Sequence, residues 1–198
     1  MSKVPLREFS DYFLENIAIG ISTNQLQITS ICNAKCIFCS NEQNPWHIKR
    51  CSFRSFSELE KVVYATQTIT GPIHLNESLP GRISEGEAFL HPRFFDILGL
   101  IRSKFTNSIA ISTNGALLTQ EMVGKLKDFN PIQMAVSIST IDREHWKETF
   151  NMDNDAHETA LKSFTFLSEN NIAVSANLIP MPSWLGWDEI ERTIEFLA

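Results

Sequence analysis

The sequence has no apolar run long enough to span a bilayer, so no membrane-crossing helix is expected. It has no basic excess either. Its 17 Lys and Arg stand against 23 Asp and Glu, for a net charge of −6. That balance gives no support for a nucleic-acid surface, which needs clustered positive charge. Residues 1–11 lack the apolar h-region of a signal peptide. Low-complexity tracts and internal repeats are missing. Cysteine is scarce. There are four, three of them tightly clustered, which fits a reducing compartment and metal binding better than a disulfide framework. His47, His74, His91, His145 and His157 show no metal-ligand spacing along one helix and read as structural or surface residues. These absences leave a cytoplasmic globular chain of ordinary composition, most simply one domain. Its 198 residues are enough to bury a core without staples.

What is present centres on Cys32, Cys36 and Cys39, spaced C-x3-C-x2-C. Thiolates this close share a soft or borderline metal. Three are one short of a closed four-thiolate site. A [4Fe–4S] cluster held here keeps one iron free of protein thiolate, open to a ligand. A structural zinc site is the rival reading, with Cys51 or His47 as fourth ligand. Taken alone, Cys51 reads as a small buried hydrophobe.

Along the chain, apolar periodicity alternates between two types. Residues 6–17 read as a short helix and 17–21 as a lead-in strand, so 1–24 form an N-terminal segment ahead of a core over 25–198. Strands are predicted at 26–31, 73–76, 109–112, 134–138 and 172–179. Between them, helices follow a capping box at Ser57 and Glu60, Pro92 at a helix start, and a capping Thr119. Further helices are expected at 143–150, 157–169 and 188–197, the last with Ile190, Ile194 and Leu197 in register. Five strand–helix units predict an α/β fold with parallel strands, curled by right-handed crossovers into a partial, TIM-like (β/α) barrel. A doubly wound open sheet is the alternative. The chain stops one residue past the last apolar helix position, as a compact core or an excerpt of a longer protein would.

In parallel α/β folds, ligands bind at the C-terminal strand ends. Each predicted strand here ends in polar or unusual residues. These are the cysteine loop, Ser84-Glu85-Gly86-Glu87, Ser112-Thr113-Asn114-Gly115, Ser137-Ile138-Ser139-Thr140, and the Pro180 to Trp184 stretch. Position alone gathers them on one rim.

The cysteine spacing, with Phe38 before the last cysteine, resembles the signature of the radical S-adenosylmethionine enzymes. The resemblance implies that Cys32, Cys36 and Cys39 ligate a [4Fe–4S] cluster whose open iron chelates S-adenosylmethionine. Residues 84–90 resemble that family's Gly-Gly-Glu-Pro-Leu segment, with Glu87 as the acid holding the methionine amino group and Gly86 retained. Glu85 replaces the first glycine and Ala88 the proline, so a carboxylate is added near the sulfonium. Phe38, Ser112, Asn114 and Ser137 are implied as further cofactor contacts, and Asn177 more weakly. The implied activity is reductive cleavage of S-adenosylmethionine to a 5′-deoxyadenosyl radical that abstracts hydrogen from an unidentified substrate. A flavodoxin- or ferredoxin-like electron donor is the implied partner. Plainer readings stand beside these: a solvated acidic loop for Glu87, an Asn-Gly turn for Asn114, a core contact for Phe38 and a backbone-satisfied hydroxyl for Ser137. A non-catalytic zinc-binding or interaction module is the rival function.

Overall fold

The computed structural model describes residues 24–39, 53–66, 68–76 and 86–198. The helix expected at 6–17 and the strand at 17–21 lie outside them, as do His47, Cys51, Ser84 and Glu85.

The strands are β1 (Gln25–Leu26), β2 (Ile73–Leu75), β3 (Ile109–Thr113), β4 (Ile132–Ser137) and β5 (Ala173–Asn177). They form one sheet in the order β1-β2-β3-β4-β5, every pair parallel. A doubly wound sheet reverses its order at a switch point, and this one does not. The arrangement is that of a partial (β/α) barrel, and among the described residues it does not close.

Alternation along the strands assigns two faces. Ile109, Ile111, Met134 and Val136 are buried and pack with α1 (Phe56–Ala65), α2 (Phe94–Arg102) and α3 (Gln120–Leu126) in the main core. The opposite face is small and polar. The register sets Ser112 beside Ala135 and Ser175, and Ser137 beside Asn177, one pleat further along. A second core lies under α4 (Arg143–Phe150) and α5 (Asn154–Glu169), built on Ile138, Trp146, Phe150 and Ala160.

Some boundaries move from their predicted places. The capping box is made by Ser55 and Glu58, two residues earlier than Ser57 and Glu60. Both pairs satisfy S-x-x-E, but Ser55 is the residue with extended backbone where the chain leaves the Thr29–Phe53 bridge. Pro92 does not open α2. It lies between a 3-10 turn (Ala88–Leu90) and the N-cap Arg93, and the helix begins at Phe94. Thr119 caps α3 by accepting from Met122 N. The predicted strand at 26–31 is regular only over Gln25–Leu26. Beyond it, the Asn76 side chain replaces the neighbouring strand as partner. A helical turn (Pro182–Leu185) precedes α6 (Trp187–Leu197). Ile190 of α6 is buried, but Ile194 is 52% exposed and Trp187 65% exposed, so the helix carries a second, uncovered apolar face. Among the described residues, β5 is an edge of the sheet.

Candidate functional site

The cysteine loop leaves the sheet after β1 and is held from two sides. On one side stands Asn76, buried and in the left-handed region at φ 51°. Its Oδ1 accepts from Ile28 N at 2.9 Å, and its Nδ2 donates to Thr29 O at 2.9 Å and Gly86 O at 3.0 Å. On the other side is the C-terminal end of α4. The last carbonyls of a helix lack internal partners. Here Phe150 O accepts from Lys35 N and Thr149 O from Ile37 N, each at 3.0 Å. Phe38 meets the Phe150 ring edge-on at 5.7 Å, and Cys36 packs on the same second core. The plainer reading of Phe38, a core contact, is the one this packing displays.

Gly86 is required by the chain itself. A Cβ there would stand 2.1 Å from Ile31 O. The bare backbone lets Gly86 N donate to Thr29 O at 3.0 Å and Glu87 N to Ile31 O at 2.8 Å, extending the β1 arm where strand pairing has stopped.

Glu87 is not part of a solvated loop. It is 3% exposed. Its Oε1 accepts from Thr113 Oγ1 at 2.9 Å and Phe89 N at 3.4 Å, and its Oε2 from Asn114 N at 3.0 Å. Burial outweighs these donors and pushes the carboxyl up to about 7. The carboxylate therefore ties the 3-10 turn to the end of β3. Asn114 and Gly115 form the predicted turn there. Gly115 sits at φ 77°, with Val136 and Ala160 too close for a side chain. Asn114 reaches back to the cysteine loop: its Nδ2 donates to Asn33 Oδ1 at 2.8 Å and lies 3.9 Å from Cys32 Sγ.

Ser112 and Ser137 are half-buried on the small, polar face of the sheet. Ser139 lies beyond the end of β4 and is buried. Trp184 and Trp187, at the exit of β5, are exposed.

Among the described residues, no three His, Cys, Asp or Glu side chains are gathered as a metal-ligand set. The donors of the loop nevertheless suit a thiophilic centre. They are three thiols outside any disulfide, with the Cys32 sulfur placed 3.4 Å from Ala34 N and near the Asn114 amide. Iron–sulfur sites rely on thiolates with N–H groups around the sulfurs. Cys32 is exposed as a residue, yet its sulfur is desolvated from the protein side. That burial, with the nearby Glu87 charge, pushes its thiol up to about 11. A bound metal removes such a proton.

The family model of the Radical SAM superfamily matches residues 26–197, nearly the whole described core. The chain belongs to this superfamily. It is 26% identical over 149 residues to the antilisterial bacteriocin subtilosin biosynthesis protein AlbA of Bacillus subtilis, covering 75% of this chain and 31% of AlbA. It is 31% identical over 134 residues to the probable GTP 3′,8-cyclase of Methanococcus maripaludis, covering 65% of this chain and 40% of that protein. The crystal structure of Streptococcus suis SuiB bound to precursor peptide SuiA superposes with a TM-score of 0.63 at 15% identity, over 96% of this chain and 40% of SuiB. The chain thus spans about a third to two-fifths of these three proteins. In this radical SAM chain the sheet runs β1 to β5 in sequence order, with the cysteine loop after β1.

The sequence marks Glu87, Gly86 and Asn114, includes Thr113 in a rim group without a role of its own, and does not reveal Asn33, Asn76 or the end of α4. An asparagine in a loop reads as a turn former, and nothing local reveals partners tens of residues away.

Proposed function

We propose that this chain is the core of a radical SAM enzyme in which Cys32, Cys36 and Cys39 hold a [4Fe–4S] cluster. The observation that supports the reading is the loop itself. Three thiols outside any disulfide stand at the C-terminal rim of a parallel sheet, braced against the ends of β3 and α4. When bound, the cluster and S-adenosylmethionine supply a one-electron reductive cleavage that yields a 5′-deoxyadenosyl radical for hydrogen abstraction.

The chain's own residues bind, orient and exclude water. Phe38 locks the loop to the second core through Phe150. Gly86 and Glu87 set the floor beside the β1 arm, and Glu87 keeps the β3 turn in place. Ser112, Asn114 and Ser137 offer polar contacts at the rim for the cofactor. The described residues contribute no general acid or base to this reading. The substrate is a separate molecule placed over the same rim, and a flavodoxin- or ferredoxin-like donor delivers the electron. No helix among the described residues is long and apolar enough to cross a membrane, in keeping with a cytoplasmic setting.

Anaerobic reconstitution of the full chain tests the reading. About four iron and four sulfide per chain are expected, with absorbance near 400 nm that is lost in Cys36→Ala. Dithionite-reduced protein should slowly release 5′-deoxyadenosine and methionine. Stoichiometric zinc without sulfide would overturn the assignment.

A further inference from the structure

The side chain of Asn114 divides its work. Its Oδ1 accepts from Ala116 N at 3.0 Å, the local bond of an Asn-Gly turn. A turn needs nothing more. Yet Nδ2 points the other way, donating to Asn33 Oδ1 at 2.8 Å and lying 3.9 Å from Cys32 Sγ. The backbone N–H of the same residue is fixed by Glu87 Oε2 at 3.0 Å, and Glu87 is fixed in turn by Thr113 Oγ1 at 2.9 Å. Asn114 is 7% exposed, so water does not easily replace these partners. Cys36 and Cys39 have a different support. Their segment is braced through the Lys35 and Ile37 amides against the end of α4. The first cysteine hangs from β3, and the other two hang from α4.

We propose that Asn114 is a positioning residue for the first thiol. It transmits the rigid frame of Glu87 and β3 to Asn33, which orders the Cys32 arm, and it presents an N–H to the Cys32 sulfur. The proposal rests on reading residues 32–39 as the cluster loop. An N–H aimed at a ligating sulfur withdraws electron density and raises the reduction potential of the centre. A residue that merely fills space would not do this.

Two variants of the full chain separate the parts. Asn114→Ala removes both donations. Asn33→Ala alters an exposed residue, removes only the Asn33 link and leaves the Asn114 amide near the sulfur. Hydrogen exchange on the chain as isolated should quicken about tenfold at residues 32–34 in both variants, the equivalent of one lost hydrogen bond, and hold at Lys35, whose amide is bonded to Phe150 O. After cluster loading without S-adenosylmethionine, the midpoint potential should fall in Asn114→Ala and hold in Asn33→Ala. Wild-type exchange in Asn33→Ala overturns the strut. Faster exchange with an unchanged potential in Asn114→Ala overturns the N–H to sulfur and leaves a structural brace only. If Asn114→Ala does not fold, Asn33→Ala decides the strut by exchange. The N–H is then read from Asn114→Asp, in which an equal potential to wild type overturns it. Wild-type chain that takes up no iron and sulfide overturns the functional reading instead, while the exchange comparison still decides the strut.

Discussion

The two ends of the sheet are tied by the same device at different depths. At the N-terminal end, Arg102 donates from Nε to Phe129 O at 2.8 Å and from its guanidinium to Pro131 O at 2.8 Å and Asn107 O at 2.5 Å. Asn107 Nδ2 continues to Ile69 O at 3.1 Å and Gly71 O at 2.9 Å. These are side-chain bonds to loop carbonyls at a partly solvated surface. At the C-terminal end, Asn76, Glu87, Thr113 and Asn114 do the same work but are all buried. Water can replace a lost partner at the first end and not at the second, so an unpaired group costs more at the second. One rim joins loops together. The other also holds the cysteine arm in a fixed place.

The largest effect should come from Gly86→Ala. Its Cβ would stand 2.1 Å from Ile31 O, a backbone atom with little freedom to retreat. The β1 arm must part from Glu87. We expect about 3 kcal/mol or more of lost stability and poor cluster loading, read by urea unfolding and by iron content. Near-normal stability would mean that the rim is looser than its geometry.

Glu87→Gln sharpens the contrast through pH. The folded carboxyl titrates near 7 against an ordinary value of 4.5. The native state therefore binds its proton more tightly than the unfolded chain. The stability from this group is full below about pH 4.5 and lost as pH rises through 7, on the order of 3 kcal/mol in all. Glutamine keeps one acceptor but turns an N–H toward an existing donor. The variant should be less stable than wild type by about 2 kcal/mol near pH 5, with the gap closing toward pH 8. Parallel pH profiles for the two proteins would refute the buried-carboxyl account.

The smallest effect belongs to the other rim. Arg102→Ala should cost about 1–2 kcal/mol, without pH dependence in this range and without change in iron content. A drop in cluster loading would show that the two ends are not independent.

The fold was legible because its strands are short apolar runs and its helices keep a 3.6-residue period. The segments 109–113 and 143–150 needed little or no correction. Strand–helix alternation pointed to a parallel sheet but fits a barrel or a doubly wound order, and the observed order decides between them. Helix starts were less legible where two patterns overlapped, as Ser55 and Ser57 show: both precede a glutamate by three residues, and the backbone direction decides. In the site, residue types were readable but their partners were not. Glu87 was implied as a ligand by the resemblance of residues 84–90 to the family segment, while its own residue type in a loop read as a solvated acid. Its donors, Thr113 and Asn114, lie 26 and 27 residues away. Nor could spacing announce that the end of α4 would supply carbonyls to the cysteine loop.

The apolar face that α6 leaves uncovered has a practical consequence. Trp187, Ile194 and Phe196 are all exposed and form a surface that sheds water readily. The net charge of −6 repels like molecules at long range, and added salt screens that repulsion. This face favours association of the isolated chain with itself. The chain should remain dispersed in dilute, low-salt buffer and associate as concentration and ionic strength rise.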